Sequence, residues 1–149
     1  MRKIKVLHLL QSSHFSGAEN VVLQIINVFK DDKYIEMAYC SPDGQIRCIL
    51  KENNIPFYPV KRPSIKEYRR VFKEYRPDII HAHDVTASVA ASLIGSKSKI
   101  ISHMHVNHEN MRKINLKTIT YLLSSIRYHH IFWVSKSSYN YYVFKNYIK

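Results

Sequence analysis

The feature that most constrains this chain is a repeated alternation: a short apolar run rich in β-branched residues, a polar loop, then a segment with 3.6-residue periodicity. Residues 3–10 (KIKVLHLL) read as a strand and residues 11–16 as a loop. The next segment reads as a helix with Val21, Val22, Ile25, Ile26 and Phe29 along one apolar face. Ser16 is placed as its N-cap, and Glu19 in the first turn suits the helix dipole. Residues 34–40 form the second strand, Pro42-Asp43-Gly44 a turn, and residues 45–53 a short helix turning Ile46, Ile49 and Leu50 inward.

The pattern continues with a strand at 56–60 and a helix capped by Ser64. Its buried stripe is Ile65, Tyr68, Val71, Phe72 and Tyr75, with Lys66, Arg69, Arg70, Lys73 and Arg76 outside, and Pro77 ends it. Residues 78–82 are an apolar strand, 85–94 a small-residue helix closed by Gly95, and 99–105 a strand. A helix at 115–128, a strand at 131–135 and a terminal helix at 136–147 complete the chain. About six strands alternating with six helices predict one α/β domain over residues 1–149. It should be a Rossmann-like open parallel sheet with helices on both faces and right-handed crossovers.

Other classes are excluded in turn. No window approaches ~20 continuous apolar residues, so no transmembrane helix is expected. Met1-Arg2-Lys3 opens like a signal peptide, but Lys5 and His8 break the apolar run after it and no small-residue cleavage site follows. Cys40 and Cys48 form no C-x-x-C pair and suit free thiols in a reducing compartment. A cytoplasmic protein is expected, docked peripherally at the inner face of a membrane.

A net charge of +12 calls for an anionic partner: nucleic acid, anionic lipid or a phosphorylated substrate. The basic residues concentrate in 61–76 and 97–117. Nucleic acid is disfavoured, because Tyr68, Phe72 and Tyr75 lie at helical core spacing and offer no stacking platform.

In an open parallel sheet, ligands bind at the carboxyl ends of the strands. Four polar segments converge there: 11–17, His83-Asp84, 105–110 and Ser135. Gly17 opens a helix just after a strand and loop, where backbone N–H groups and the helix dipole favour a diphosphate. With one glycine there is no G-x-G-x-x-G fingerprint, which removes the main support for a dinucleotide cofactor. Strand alternation puts His81 and His83 on one face. The run His103-Met104-His105-Val106-Asn107-His108-Glu109 repeats the arrangement one strand later. A histidine there, with an ordinary pKa of ~6.5, can serve in acid–base chemistry or donate to a developing oxyanion or a phosphate. Its H-x-H-x-N-H spacing approaches the H-x-H-x-D-H of zinc hydrolases of the metallo-β-lactamase type. Asn107 stands where that motif needs Asp, and the surrounding fold differs, so no metal is expected.

Four segments then match a known family in order and spacing: V-L-H-L-L-x(6)-G-A-E-N-V-V-L at 6–23, R-P-D-I-I-H-A-H-D at 76–84, I-I-S-H-M-H-V-N at 100–107 and W-V-S-K-S at 133–137. The chain resembles the N-terminal, subfamily-4-like domain of the family 4 glycosyltransferases of GT-B fold. That resemblance implies two Rossmann-like domains around a cleft, the N-terminal one holding the acceptor and the C-terminal one the nucleotide-sugar. It assigns Gly17 and Ala18 to the loop against the donor diphosphate, His105 to catalysis at the transferred sugar, and His83, Asp84 and Asn107 to substrate binding.

Two departures stand out. Ser16 replaces the first glycine of the usual Gly-Gly-Ala-Glu, and the E-x(7)-E donor motif of the second domain is not in the sequence. The chain is therefore expected to be the acceptor-side half of a retaining glycosyltransferase in cell-surface glycan synthesis, inactive alone and without cofactor or metal. Its expected partners are a nucleotide-sugar, a lipid-linked or glycan acceptor, an anionic membrane surface and a donor-binding domain or subunit. A non-catalytic membrane-docking subunit of a split transferase and, behind it, a zinc hydrolase remain as alternatives.

Overall fold

A computed structural model describes residues 2–95, 97–105 and 109–148. Its elements alternate as the periodicities require: β1 (Ile4–Leu9), α1 (Gly17–Val28), β2 (Ile35–Pro42), α2 (Ile46–Glu52), β3 (Phe57–Val60) and α3 (Ile65–Tyr75). Then come β4 (Ile79–His83), α4 (Asp84–Ile94), β5 (Lys99–Met104), α5 (Leu116–Ser125), β6 (His130–Trp133) and α6 (Lys136–Tyr141). All strand pairs are parallel, in the order β3-β2-β1-β4-β5-β6. This is a Rossmann-like doubly wound sheet, and its strand order reverses between β1 and β4.

Alternation along the strands builds two cores. Leu7, Leu9, Ile80, Ala82 and Ile100 point to one face, where Tyr68, Val71 and Tyr75 of α3 and Ala87, Ala90 and Ala91 of α4 cover them. Leu10 and Tyr39 join Val22, Leu23 and Ile26 of α1 and Ile46 and Leu50 of α2 on the other. The alanines of α4 let it sit close to the sheet. Gly95 ends that helix for the same reason: a Cβ there would lie 2.6 Å from Ile80 Cδ1 and 2.7 Å from the Ala91 carbonyl oxygen.

Several boundaries differ from the sequence expectation. Phe29 is more than a third exposed, and Leu23 takes its place inside, because α1 ends at Val28 and Phe29 is only its C-cap. The expected helix over 136–147 stops at Tyr141, since Tyr142 turns extended (φ −82°, ψ 120°). Buried there, its ring packs edge-on against Tyr121 and its hydroxyl donates to the Thr118 carbonyl at 2.9 Å. A separate 3-10 turn, Lys145–Tyr147, follows. The helix expected to reach residue 128 ends at Ser125, with Tyr128 folded back onto the cores. Ser135, expected inside the last strand, instead caps α6 by accepting from the Ser138 N–H at 3.1 Å. A 3-10 helix at Glu109–Arg112, absent from the sequence reading, seats Met111 in a third cluster with Val85, Met104, Tyr121 and Tyr142. No helix among the described residues is long and apolar enough to cross a membrane.

Candidate functional site

At the point where the strand order reverses, the loop after β1 and the junction of β4 with α4 part and leave a cleft of about 490 Å³. Its walls include Gln11, Ser12, Ser16, Gly17, Ala18 and Glu19 on one side and His83, Asp84, His105 and Val134 on the other. Five residues singled out from the sequence, Gly17, Ala18, His83, Asp84 and His105, thus share one cavity. The sixth, Asn107, lies outside the described residues, as does His108.

Ser16 is extended (φ −143°, ψ −166°), so α1 begins abruptly at Gly17 and its first amides have no carbonyl of the preceding turn to bond. Glu19 is buried beneath this turn, where its carboxylate accepts from the Ser16 N–H at 3.0 Å and from the Ser16 hydroxyl. The serine that replaces a glycine here thereby locks the turn instead of loosening it. Gly17 has no positive φ, and a Cβ added to it would meet nothing within 4 Å. Neither backbone strain nor crowding inside the fold demands glycine at 17. What its bare backbone does is keep the cleft open at a helix N-terminus, a place suited to a phosphate group.

Across the cleft, Asp84 starts α4 with φ 63°, in the left-handed region that few non-glycine residues occupy and that Asp tolerates better than most. Its Oδ1 accepts from the His105 backbone N–H at 2.9 Å, tying the end of β5 to the end of β4. His83 Nδ1 lies 2.8 Å from His105 Nε2, and His83 Nε2 lies 3.1 Å from His8 Nδ1. Three imidazoles are thus linked in series from the sheet interior to the cleft.

This series belongs to a larger ladder that the sequence reading did not contain. His8 pairs in register with His81, and His83 with His103, so that His8, His81, His83, His103 and His105 stack side by side on one face. That face is opposite Leu7, Leu9, Ile80 and Ala82. Glu19, read from the sequence only as a residue suited to the helix dipole, is also a wall residue.

Burial, and then the mutual repulsion of the charged forms, keeps these rings neutral. His8 is lowered to about 3, His81 to about 2, His103 to about 4, and His83 well below its ordinary value. Burial lowers His105 as well, while the carboxylates of Asp84 and Glu19 pull it the other way. Near neutral pH His105 therefore acts as a hydrogen-bonding imidazole and not as a fixed cation.

The direction of the series follows from its buried end. His8 Nε2 has no partner among the described residues, and an unpartnered lone pair is a lesser fault than an unpartnered N–H. On that assignment His8 donates to His83, His83 donates to His105 Nε2, and the remaining proton of His105 sits on Nδ1.

The surface carries two further features. Lys66, Arg69 and Lys73 stand exposed along α3, while Arg70 is engaged with Glu67, Glu74 and the Pro59 carbonyl. Leu116, Leu123 and Ile126 on and just beyond α5 are exposed, with Lys113, Lys117 and Arg127 near them in the chain.

The family model for Glycosyltransferase Family 4 matches residues 15–145. No curated protein matches the sequence. Among solved structures, Anabaena HepE in complex with UDP superposes with a TM-score of 0.78 at 18% identity, over 96% of this chain and 41% of that one. The UDP-GlcNAc 2-epimerase of Neisseria meningitidis, bound to UDP-GlcNAc, gives 0.63 at 19% identity, over 98% and 44%. Acinetobacter baumannii MurG gives 0.62 at 14% identity, over 91% and 42%. The chain spans well under half the length of each, and at these identities the likeness is one of fold.

Proposed function

From the premise that the chain belongs to glycosyltransferase family 4, with the fold of the N-terminal domain of a GT-B enzyme, we propose that it is the acceptor-side half of a sugar transferase. The observation that carries this reading is the convergence of a helix N-terminus at Gly17 and Ala18 with His83, Asp84 and His105 on one cleft at the reversal point of the sheet. In the proposed mechanism the donor's diphosphate lies against the first amides of α1, and the transferred sugar sits between that turn and His105. The Nδ1–H of His105 donates to the sugar as the bond to the diphosphate breaks. Asp84 fixes the backbone of His105, and His83 fixes its ring. The acceptor hydroxyl attacks the anomeric carbon from the face the diphosphate leaves, its proton passes to the departing phosphate oxygen, and the nucleoside diphosphate departs with configuration retained. No metal takes part in the transfer.

The opposite wall of the cleft, with the groups that grip the nucleotide, is assigned to a second Rossmann-like domain. That HepE and the epimerase are more than twice this length and were solved with UDP and UDP-GlcNAc supports the assignment. Half of a transition-state site stabilises little of the transition state. The purified 149-residue chain, given a panel of nucleotide-sugars and lipid or glycan acceptors, is therefore expected to release no nucleoside diphosphate above the buffer rate. Robust turnover by this chain alone would overturn the division of labour.

A lipid-linked acceptor also fits the surface. Lys66, Arg69 and Lys73 supply charge, and Leu116, Leu123 and Ile126 supply apolar side chains, for an anionic bilayer. Replacing Lys66, Arg69, Arg70 and Lys73 with Gln is expected to weaken co-sedimentation with phosphatidylglycerol vesicles. Arg70 should contribute least, because its guanidinium is already paired. Equal binding to neutral vesicles would count against an electrostatic footprint.

A further inference from the structure

The histidine ladder extends beneath the cleft: His83 lines it, while His8 and His81 lie behind its wall. His8, His81 and His83 are all buried, and one ring nitrogen from each lies within 4.8 Å of the others. Two of these rings carry a nitrogen with no hydrogen-bond partner among the described residues, His8 Nε2 and His81 Nε2. An unpartnered buried polar atom costs about 1–3 kcal/mol and calls for a reason, such as an ion or a water. Here two occur side by side on imidazoles, the commonest protein ligand for transition metals. We propose that His8, His81 and His83 hold one divalent transition-metal ion of the zinc class beneath the cleft.

The chemistry of the set agrees with this. Three neutral nitrogen donors without a carboxylate suit zinc, copper or nickel and are poor ligands for magnesium or calcium. The burial that keeps His8 and His81 unprotonated also keeps their lone pairs free to bind. Ligand atoms about 2.0–2.1 Å from a tetrahedral ion lie roughly 3.3 Å apart, so the present spacing needs a small inward rotation of the rings. Once His83 turns Nε2 to the ion it gives up its contact with His8, and its Nδ1–H remains donated to His105 Nε2 at 2.8 Å. That bond is the outer-sphere hydrogen bond that normally fixes the tautomer of a ligating histidine.

A second set, His83, His103 and His105, converges in the same way and shares His83. Its His103 and His105 are half-buried and His105 lines the cleft, so it offers an ion a route inward. The proposed site is distinct from the 103–108 run weighed in the sequence, since its ligands come from β1 and β4.

The test uses the 149-residue chain after chelator treatment and gel filtration. Titrated with Co²⁺, it is expected to develop the intense visible bands of a low-coordinate nitrogen-ligated ion, saturating at one equivalent. Zn²⁺ should displace the Co²⁺. His81→Asn and His8→Asn should each weaken Co²⁺ binding at least tenfold, whereas replacing His14, His129 and His130 together should leave it unchanged. Should the buried variants fail to fold, ¹⁵N imidazole spectra of the unmodified chain with Zn²⁺ decide the matter: three ring nitrogens in β1 and β4 should shift to metallated values. Absence of the bands, retention of binding by folded His81→Asn, loss of binding in His103→Gln alone, or unshifted β1 and β4 nitrogens would each overturn the assignment.

Discussion

Taken from pH 7.5 to pH 5 with chelator present, the chain is expected to lose most of its resistance to unfolding. His8, His81 and His83 titrate in the unfolded chain near pH 6.5, but in the fold they are lowered to about 3, to about 2 and well below the ordinary value. Between those limits the unfolded state binds protons that the native state refuses, so stability falls as pH falls. The contribution is fully present above pH ~6.5 and is lost progressively below it. At about 1.4 kcal/mol per pH unit for each ring, His8 and His81 alone lose roughly 4 kcal/mol by pH 5, and His83 adds to this in the same direction. That approaches the lower end of the ~5–15 kcal/mol of a typical domain. His103 and His105 add in the same direction. The carboxyl groups of Asp43, Glu67 and Asp78, all held below their ordinary values, titrate at lower pH and do not interfere. Urea midpoints followed by circular dichroism should fall steeply between pH 6.5 and 5. A midpoint that stays flat across this window would mean that the ladder is not buried as described.

The second large effect concerns His105 in an enzyme that carries both halves. If its Nδ1–H donates to the sugar only as charge develops on the leaving diphosphate, His105→Ala removes an interaction made in the transition state. It should then lower kcat by about two orders of magnitude with little change in KM. Donors of this kind are worth ~2.7–4 kcal/mol. The substitution also breaks the 2.8 Å bond to His83, at a cost to stability of about 0.5–1.5 kcal/mol. Measuring kcat, KM and the thermal midpoint on one preparation separates the two roles. A variant with a lowered midpoint and an undiminished kcat would leave His105 as a structural partner of His83 and remove it from catalysis.

Where local pattern decides structure, the residues were enough. The alternation of apolar strands with amphipathic helices fixes the parallel sheet, and placing loops at the strand ends was sufficient to bring Gly17, His83, Asp84 and His105 to one rim. What escaped depends on partners remote in sequence. Tyr142 leaves the helical path because a pocket against Tyr121 and the Thr118 carbonyl outweighs the propensity of its own segment. The ladder depends on register: His8 read as a polar flaw in an apolar run, and only its pairing with His81 shows that it belongs to a buried stack. The left-handed Asp84 has only the weak local signal of its residue type, and its side chain is tied to the His105 N–H, twenty-one residues away.

The central claim, that this domain is one wall of a sugar-transfer site, is tested most directly by following labelled sugar from a nucleotide-sugar to acceptor in membrane extracts. The 149-residue chain and a donor-binding domain of the same family should be assayed apart and then joined. Transfer is expected only from the joined halves, and it should vanish when His105 is replaced by Ala in a folded assembly. Transfer by either half alone, or undiminished transfer with a folded half in which Gly17, His83 and His105 have all been replaced, would contradict the account.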